Sequence, residues 1–120
     1  MQKFVEYMNA VDGTRSWEEM EPLFVEAFHP DATYETADGV LDFAQWREMA
    51  KGLIGRGTVI SDFELKTSDG VNAVWRLTLT AGEEEAPLEL AAAGRFSGER
   101  VIHVAPTDLD AYSAMVAQSA

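Results

Sequence analysis

The sequence predicts one α+β domain spanning residues 1–120, with helices gathered early and antiparallel strands late. Apolar residues recur at helical spacing in three stretches before GLIGRG, with one short strand among them, and from Thr58 onward the repeat switches to two. The glycine-rich run GLIGRG at residues 52–57 marks the change of period. No linker, internal repeat or low-complexity tract divides the chain, and 120 residues suit a single core.

Phe4, Val5, Met8 and Val11 fall on one helical face, so residues 2–12 read as a first helix, ended by Asp12-Gly13. Ser16 and Glu19 form an S-x-x-E capping box for a second helix, with Trp17, Met20, Leu23, Phe24, Ala27 and Phe28 along one face. Pro22 lacks the N–H that an interior turn needs, which predicts an irregular first turn or a kink. His29-Pro30 closes this helix, Ala32–Thr36 alternates as a short strand, and Asp38-Gly39 turns the chain. Asp42 and Gln45 repeat the capping pattern ahead of Phe43, Trp46, Met49, Ala50, Leu53 and Ile54.

Four strands follow as a meander. Val59, Ser61, Phe63 and Leu65 share one face of the first, and Ser68-Asp69-Gly70 turns into Trp75, Leu77 and Leu79 on the next. The turn at Gly82 with Glu83–Glu85 as a solvated tip leads to Leu88, Leu90, Ala92, Gly94 and Phe96. Ser97-Gly98 leads to a last strand around Val101–Ala105. Thr107 and Asp110 then cap a closing helix that carries Leu109, Tyr112, Met115 and Val116. The helices are expected to cover one face of the sheet.

Bulk composition excludes several functions. Nine Lys and Arg against 21 Asp and Glu give a formal charge of −12, which repels phosphate backbones, and no basic cluster with interleaved aromatics opposes it. Nucleic-acid binding is therefore not expected. The chain has no cysteine, which removes disulfides, thiolate metal sites and a cysteine nucleophile, and fits a cytoplasmic location. No segment approaches the roughly 18–20 uninterrupted apolar residues of a membrane span, and the N-terminal MQKFVEYMNAVDG has no signal-peptide core.

The element order, N-A-x-D at residues 9–12, FHPDATYE at residues 28–35 and G-R-F at residues 94–96 together resemble the nuclear-transport-factor-2-like superfamily. The SnoaL-like polyketide-cyclase and ketosteroid-isomerase branches look nearest, and the resemblance covers essentially the whole chain. It implies a strongly bent antiparallel or mixed sheet, wrapped into a cone by the N-terminal helices, often dimeric, with a pocket inside. Ala91-Ala92-Ala93-Gly94 suits such a bend, because small residues tolerate close approach. The ketosteroid-isomerase residues do not carry over. The first-helix tyrosine aligns with Phe4, the general base with Thr36, and the protonated second acid with Ala92. The His and Asp that SnoaL-like cyclases tend to carry on the last strand fall near Val104 and Pro106.

The strand alternation gives an independent expectation. It points Tyr34, Thr36, Ser61 and the apolar strand residues into the cone, and puts Glu35, Asp62, Glu64 and Glu89 on the opposite face. General acid–base chemistry needs a titratable group within hydrogen-bond reach of substrate, and this interior offers hydroxyls among apolar walls. His29, two residues from Asp31, is a candidate base, although a His at a helix end beside Pro more simply meets the carbonyl dipole. His103 faces outward if Ile102 and Val104 face inward, and enters the pocket only in the reverse register. Asp38, in a turn by the cone mouth, is a third candidate base that turn chemistry also explains.

Two histidines with one nearby carboxylate fall short of a metal site, so no metal and no cofactor are expected. GLIGRG follows a helix instead of preceding one, so no helix N-terminus is there to meet a phosphate. The expected function is therefore binding of a small apolar or aromatic molecule, with Tyr34 and Thr36 as polar anchors and Trp46, Phe63 and Trp75 as walls. The alternative is a SnoaL-like isomerase, cyclase or hydrolase using a relocated base at His29, Asp38 or His103. A third is a filled cone whose outer sheet face serves association, and a homodimer through that face is expected in any case.

Overall fold

The computed structural model describes residues 1–67, 69–81 and 86–119, without the side chains of Met115, Gln118 and Ser119. Among these residues the helices α1 (Gln2–Ala10) and α2 (Trp17–Ala27) lead into the strands β1 (Phe28–Thr36) and β2 (Gly39–Leu41). Helix α3 (Phe43–Gly55) follows, then β3 (Val59–Thr67), β4 (Asn72–Thr80), β5 (Leu88–Ser97), β6 (Arg100–Thr107) and α4 (Leu109–Ser119). Ser68 of the first meander turn, Gly82 with Glu83–Glu85 of the second, and the Met115 side chain lie outside the described residues.

Both expected capping boxes form. The Ser16 hydroxyl accepts from the Glu19 N–H and the Asp42 carboxylate from the Gln45 N–H, each with the reciprocal bond in place. Pro22 sits inside α2 without ending it, so only the Glu18 carbonyl, four residues back, loses its intrahelical donor. The closing helix is capped by Asp108, whose carboxylate accepts from the Ala111 N–H at 2.6 Å, and not by Thr107 and Asp110. Thr107 is still in β6.

One mixed sheet runs β2-β1-β6-β5-β4-β3, with β1 and β6 parallel and the other neighbours antiparallel. Its curvature follows from one side chain. The Phe4 ring of α1 lies 5.6 Å from Phe28 on β1 and 5.9 Å from Phe63 on β3. Four strand steps separate β1 from β3, about 19 Å if the sheet were flat at about 4.8 Å per step. The sheet therefore curls around α1 into a cone. Phe4, Phe24, Phe28, Trp46, Trp75 and Phe96 are buried together inside it, and the edge-on pairs among them add to area burial.

Register shifts produce the bend, and they overturn part of the expected alternation. Ser61 pairs with Thr78 and Glu64 with Arg76, leaving two residues of β3 opposite Leu77 alone. Asp62 holds φ at 55° in that bulge. The inward face of β3 is thus Ile60 before the bulge, and Phe63 and Leu65 after it. Val59 and Ser61, expected inside, belong to the other face, and Ser61 is exposed. A second shift between Arg95 and Phe96 leaves Ile102 as the extra residue of β6, so Val101 and Val104 are the fully buried pair there. Leu88, also expected inside, is 55 % exposed at the start of β5.

Two further corrections concern the ends of elements. His29 and Pro30 do not close α2; they lie in β1, in the stretch where register with β6 is broken between Phe28 and Thr33. Proline tolerates that stretch because no ladder bond is needed from it. Helix α4 does not join the other helices but packs on the outer face, near Glu64 and Arg76 on β3 and β4.

Candidate functional site

A cavity of about 480 Å³ opens inside the cone between α1, α3 and the curled sheet. Its sheet wall is Trp75, Leu77 and Leu79 of β4, Leu90 and Ala92 of β5, and Val104 and Pro106 of β6. Helix α3 supplies Trp46, Met49, Ala50 and Leu53, and α1 closes the inner end with Phe4, Tyr7 and Met8. The exposed lining residues Met49, Arg56, Leu90 and Pro106 form the rim. Gly94 shapes the wall from beneath: a Cβ there would meet Trp75 Cη2 at 2.4 Å and Cζ3 at 2.6 Å, so only glycine lets the indole lie flat on β5.

Few polar groups line this space. Tyr7 and Tyr34 bring phenols, and burial pushes both hydroxyls up from the usual tyrosine range, so both stay protonated donors at neutral pH. Thr58 is also among the lining residues, but its hydroxyl oxygen is fully buried and has no hydrogen-bond partner among the described residues. Arg56 brings the one charge, and no carboxylate or imidazole is among the described residues that line the cavity.

Three of the expected ligand contacts line the cavity: Tyr34, Trp46 and Trp75, with the Tyr34 and Trp46 rings 5.0 Å apart. Two do not. The Thr36 hydroxyl donates to the Gly39 carbonyl at 2.8 Å and accepts from the Asp38 N–H at 3.2 Å, so the β1–β2 turn occupies it. Phe63 packs against Phe4 behind the wall and is absent from the lining.

None of the three candidate bases lines the cavity. Asp38 is exposed in the β1–β2 turn. The cavity opens elsewhere, at the rim just described, and not beside Asp38 as expected. His29 accepts the Asp31 N–H on Nδ1 at 3.0 Å, with the Asp31 carboxylate 3.9 Å away. His103 faces outward, with Val104 inward and Ile102 taken up by the bulge instead of alternating as expected: Nδ1 lies 2.7 Å from the Thr33 hydroxyl and Nε2 3.5 Å from the Glu35 carboxylate. Glu64 and Arg76 pair on the same outer face at 3.2 Å. Among the described residues no group of three or more His, Asp or Glu is placed to hold a metal ion, and no helix is long and apolar enough to cross a membrane.

Tyr7, Arg56 and Thr58 were missed by sequence reasoning. Tyr7 had a signal, because it lies three residues after Phe4 and four before Val11 on the same helical face. Arg56 and Thr58 had none that GLIGRG did not hide.

No protein-family model and no curated protein matches this sequence. Solved structures do match its fold. A candidate polyketide cyclase from Sinorhizobium meliloti shares 21% identity over 87% of this chain and 93% of its own, with a TM-score of 0.60. Another from Pseudomonas putida shares 15% over 91% and 92%, with a TM-score of 0.64. TerC, co-crystallised with polyporic acid, shares 14% over 96% and 98%, with a TM-score of 0.62. At these identities the likeness shows the fold alone, and that fold is nuclear-transport-factor-2-like. Of the positions that align with isomerase and cyclase chemistry, Phe4, Ala92, Val104 and Pro106 line the cavity and Thr36 does not, and none of them ionises.

Proposed function

We propose that this SnoaL-like domain binds a small apolar or aromatic molecule in the cone and performs no acid–base catalysis there. The observation that carries this reading is the cavity of about 480 Å³ walled by aromatic and aliphatic side chains, with two neutral phenols and, among the described lining residues, no carboxylate or imidazole. Such a site desolvates a flat ring system and orients it by a few hydrogen bonds, but has no group poised to take a proton. Burying about 200–300 Å² of ligand surface at about 25 cal/mol per Å² corresponds to about 5–7 kcal/mol, or micromolar to sub-millimolar affinity. The candidate cyclases and TerC with its polyporic acid support the ligand class by analogy of fold.

The test is a thermal-shift screen of steroids, polyketides and small aromatics, followed by titration of the best compound with tryptophan fluorescence. Trp46 and Trp75, two of the three tryptophans, stand in the wall and report directly. Saturable quenching with a raised melting temperature is expected, and Tyr34→Phe should weaken binding with little change in the unliganded melting temperature. A screen in which no compound shifts the melting temperature overturns the proposal.

The same reading includes a homodimer through the outer sheet face. Helix α4 covers part of that face, and beside it Val74, Ala93 and Ala105 lie in register across β4, β5 and β6. Sedimentation equilibrium tests it, with Ala93→Arg expected to yield monomer.

A further inference from the structure

The inner face of the β4–β5 hairpin does not stop at the mouth of the cavity. Three cross-strand pairs follow one another along it: Trp75 with Ala92, Leu77 with Leu90, and Leu79 with Leu88. Four residues of strand separate the first pair from the last, a run of about 13 Å. Five of these six side chains line the cavity, and Leu88 stands beyond its rim. Exposure climbs along the same line. Trp75 is 4 % exposed, Leu77 and Leu79 are half-buried, Leu90 is 39 % exposed and Leu88 is 55 % exposed.

Strand alternation fixes which way these residues point, not what they are. The outward positions between them are Arg76, Thr78 and Glu89, all polar, whereas the inward positions stay apolar to the open end. On the sheet, α1 packs mainly against β3 and β6 and α3 against β1 and β2, which leaves the far end of the hairpin without a helix above it. Leu88, Leu90 and the rim residue Met49 are three of the six large apolar side chains exposed among the described residues. Scattered exposed leucines need no explanation, but a strip that continues a cavity wall without a break marks a contact surface.

Resting on the cavity-binding reading, we infer that the ligand is longer than the cone: an apolar ring carrying an unbranched hydrocarbon chain. The ring is held between Trp46 and Trp75, and the chain leaves the mouth over Leu77, Leu79 and Leu90 to end on Leu88. Two other occupants fit the strip less well. A second copy of the chain needs about 800 Å² per partner for a stable contact, and the strip offers only a few side chains. A membrane surface meets a formal charge of −12, which anionic headgroups repel. The cavity itself opens directly onto the strip, because Leu90 is both lining and exposed.

The experiment titrates 4-ethyl-, 4-pentyl- and 4-heptylphenol against wild type, Leu88→Ser and Leu88→Met, following tryptophan fluorescence. In wild type each added methylene should tighten binding about two- to fourfold through to heptyl, the scale of burying one methylene. Leu88→Ser should cut the heptyl-to-ethyl affinity ratio severalfold, and Leu88→Met, which keeps an apolar surface there, should retain it. Leu88 is exposed, so a melting curve checks that each variant is folded. No gain from pentyl to heptyl in wild type, or an unchanged ratio in Leu88→Ser, overturns the inference and leaves cavity binding standing. A wild-type dimer that Leu88→Ser dissociates in sedimentation gives the strip to a second copy and overturns it as well. Failure of all three phenols to bind wild type sinks the cavity-binding reading itself.

Discussion

Successive residues of β1 and β6 show two chemistries back to back. Thr33 pairs with His103 and Tyr34 with Val104. The first pair, with Glu35, makes a hydroxyl–imidazole–carboxylate chain on the outer face, and the second borders the apolar cavity. A slip of one residue in either strand would exchange the two sets. The carboxylates and imidazoles stand where water solvates them cheaply, and the enclosed space is left to two phenols and one rim arginine among the described residues. A side-chain trio that resembles catalytic machinery is thus a surface feature here, outside the cone cavity.

Changing the two faces should break or sharpen this contrast in graded fashion. Phe24 is fully buried against Tyr7, Trp17, Phe28 and Phe43. Phe24→Ala should cost about 3–5 kcal/mol in urea unfolding. Gly94→Ala forces the Trp75 ring off β5, which should cost about 1–3 kcal/mol and weaken ligand binding together. Thr58→Val removes an unpaired buried hydroxyl and should stabilise the unliganded protein by about 1 kcal/mol. On the outer face, His103→Ala and Glu35→Gln should each change stability by less than about 1 kcal/mol, the scale of an exposed pair, and leave ligand affinity alone. A loss of affinity in either variant would break the separation of the two faces.

The smallest effect concerns acid. Asp69 accepts the Val71 and Asn72 N–H groups, which lowers its carboxyl to about 2. Its folded value lies below its unfolded one near 3.9. The contribution is therefore present above about pH 4 and lost as pH falls through about 2. Asp69→Asn should flatten the acid limb of the stability profile in that window only. Solvent screens this exposed group, so the change should be slight.

Local features were legible in the sequence and long-range ones were less so. Ser16 with Glu19 and Asp42 with Gln45 were readable because a capping box is complete within four residues. The alternation of β4 was readable because all its registered residues pair with β5 without a shift. The bulge at Asp62 was not, since an aspartate at positive φ leaves no glycine signature, and Val59 and Ser61 before it therefore lie on the face opposite to Phe63 and Leu65 after it. Thr36 looked inward by parity but was claimed by the Gly39 turn, a bond that strand periodicity does not register. Arg56 and Thr58 stayed hidden because GLIGRG read as a helix breaker, and only the three-dimensional cap shows what it carries.

The central claim is that the cone interior is the binding site. Titration of N-phenyl-1-naphthylamine against wild type and Ala92→Trp tests it most directly, because Ala92 lines the cavity and an indole there would obstruct it. The account predicts one saturable site in wild type and none in a cooperatively folded Ala92→Trp. Unchanged affinity in that folded variant would contradict it.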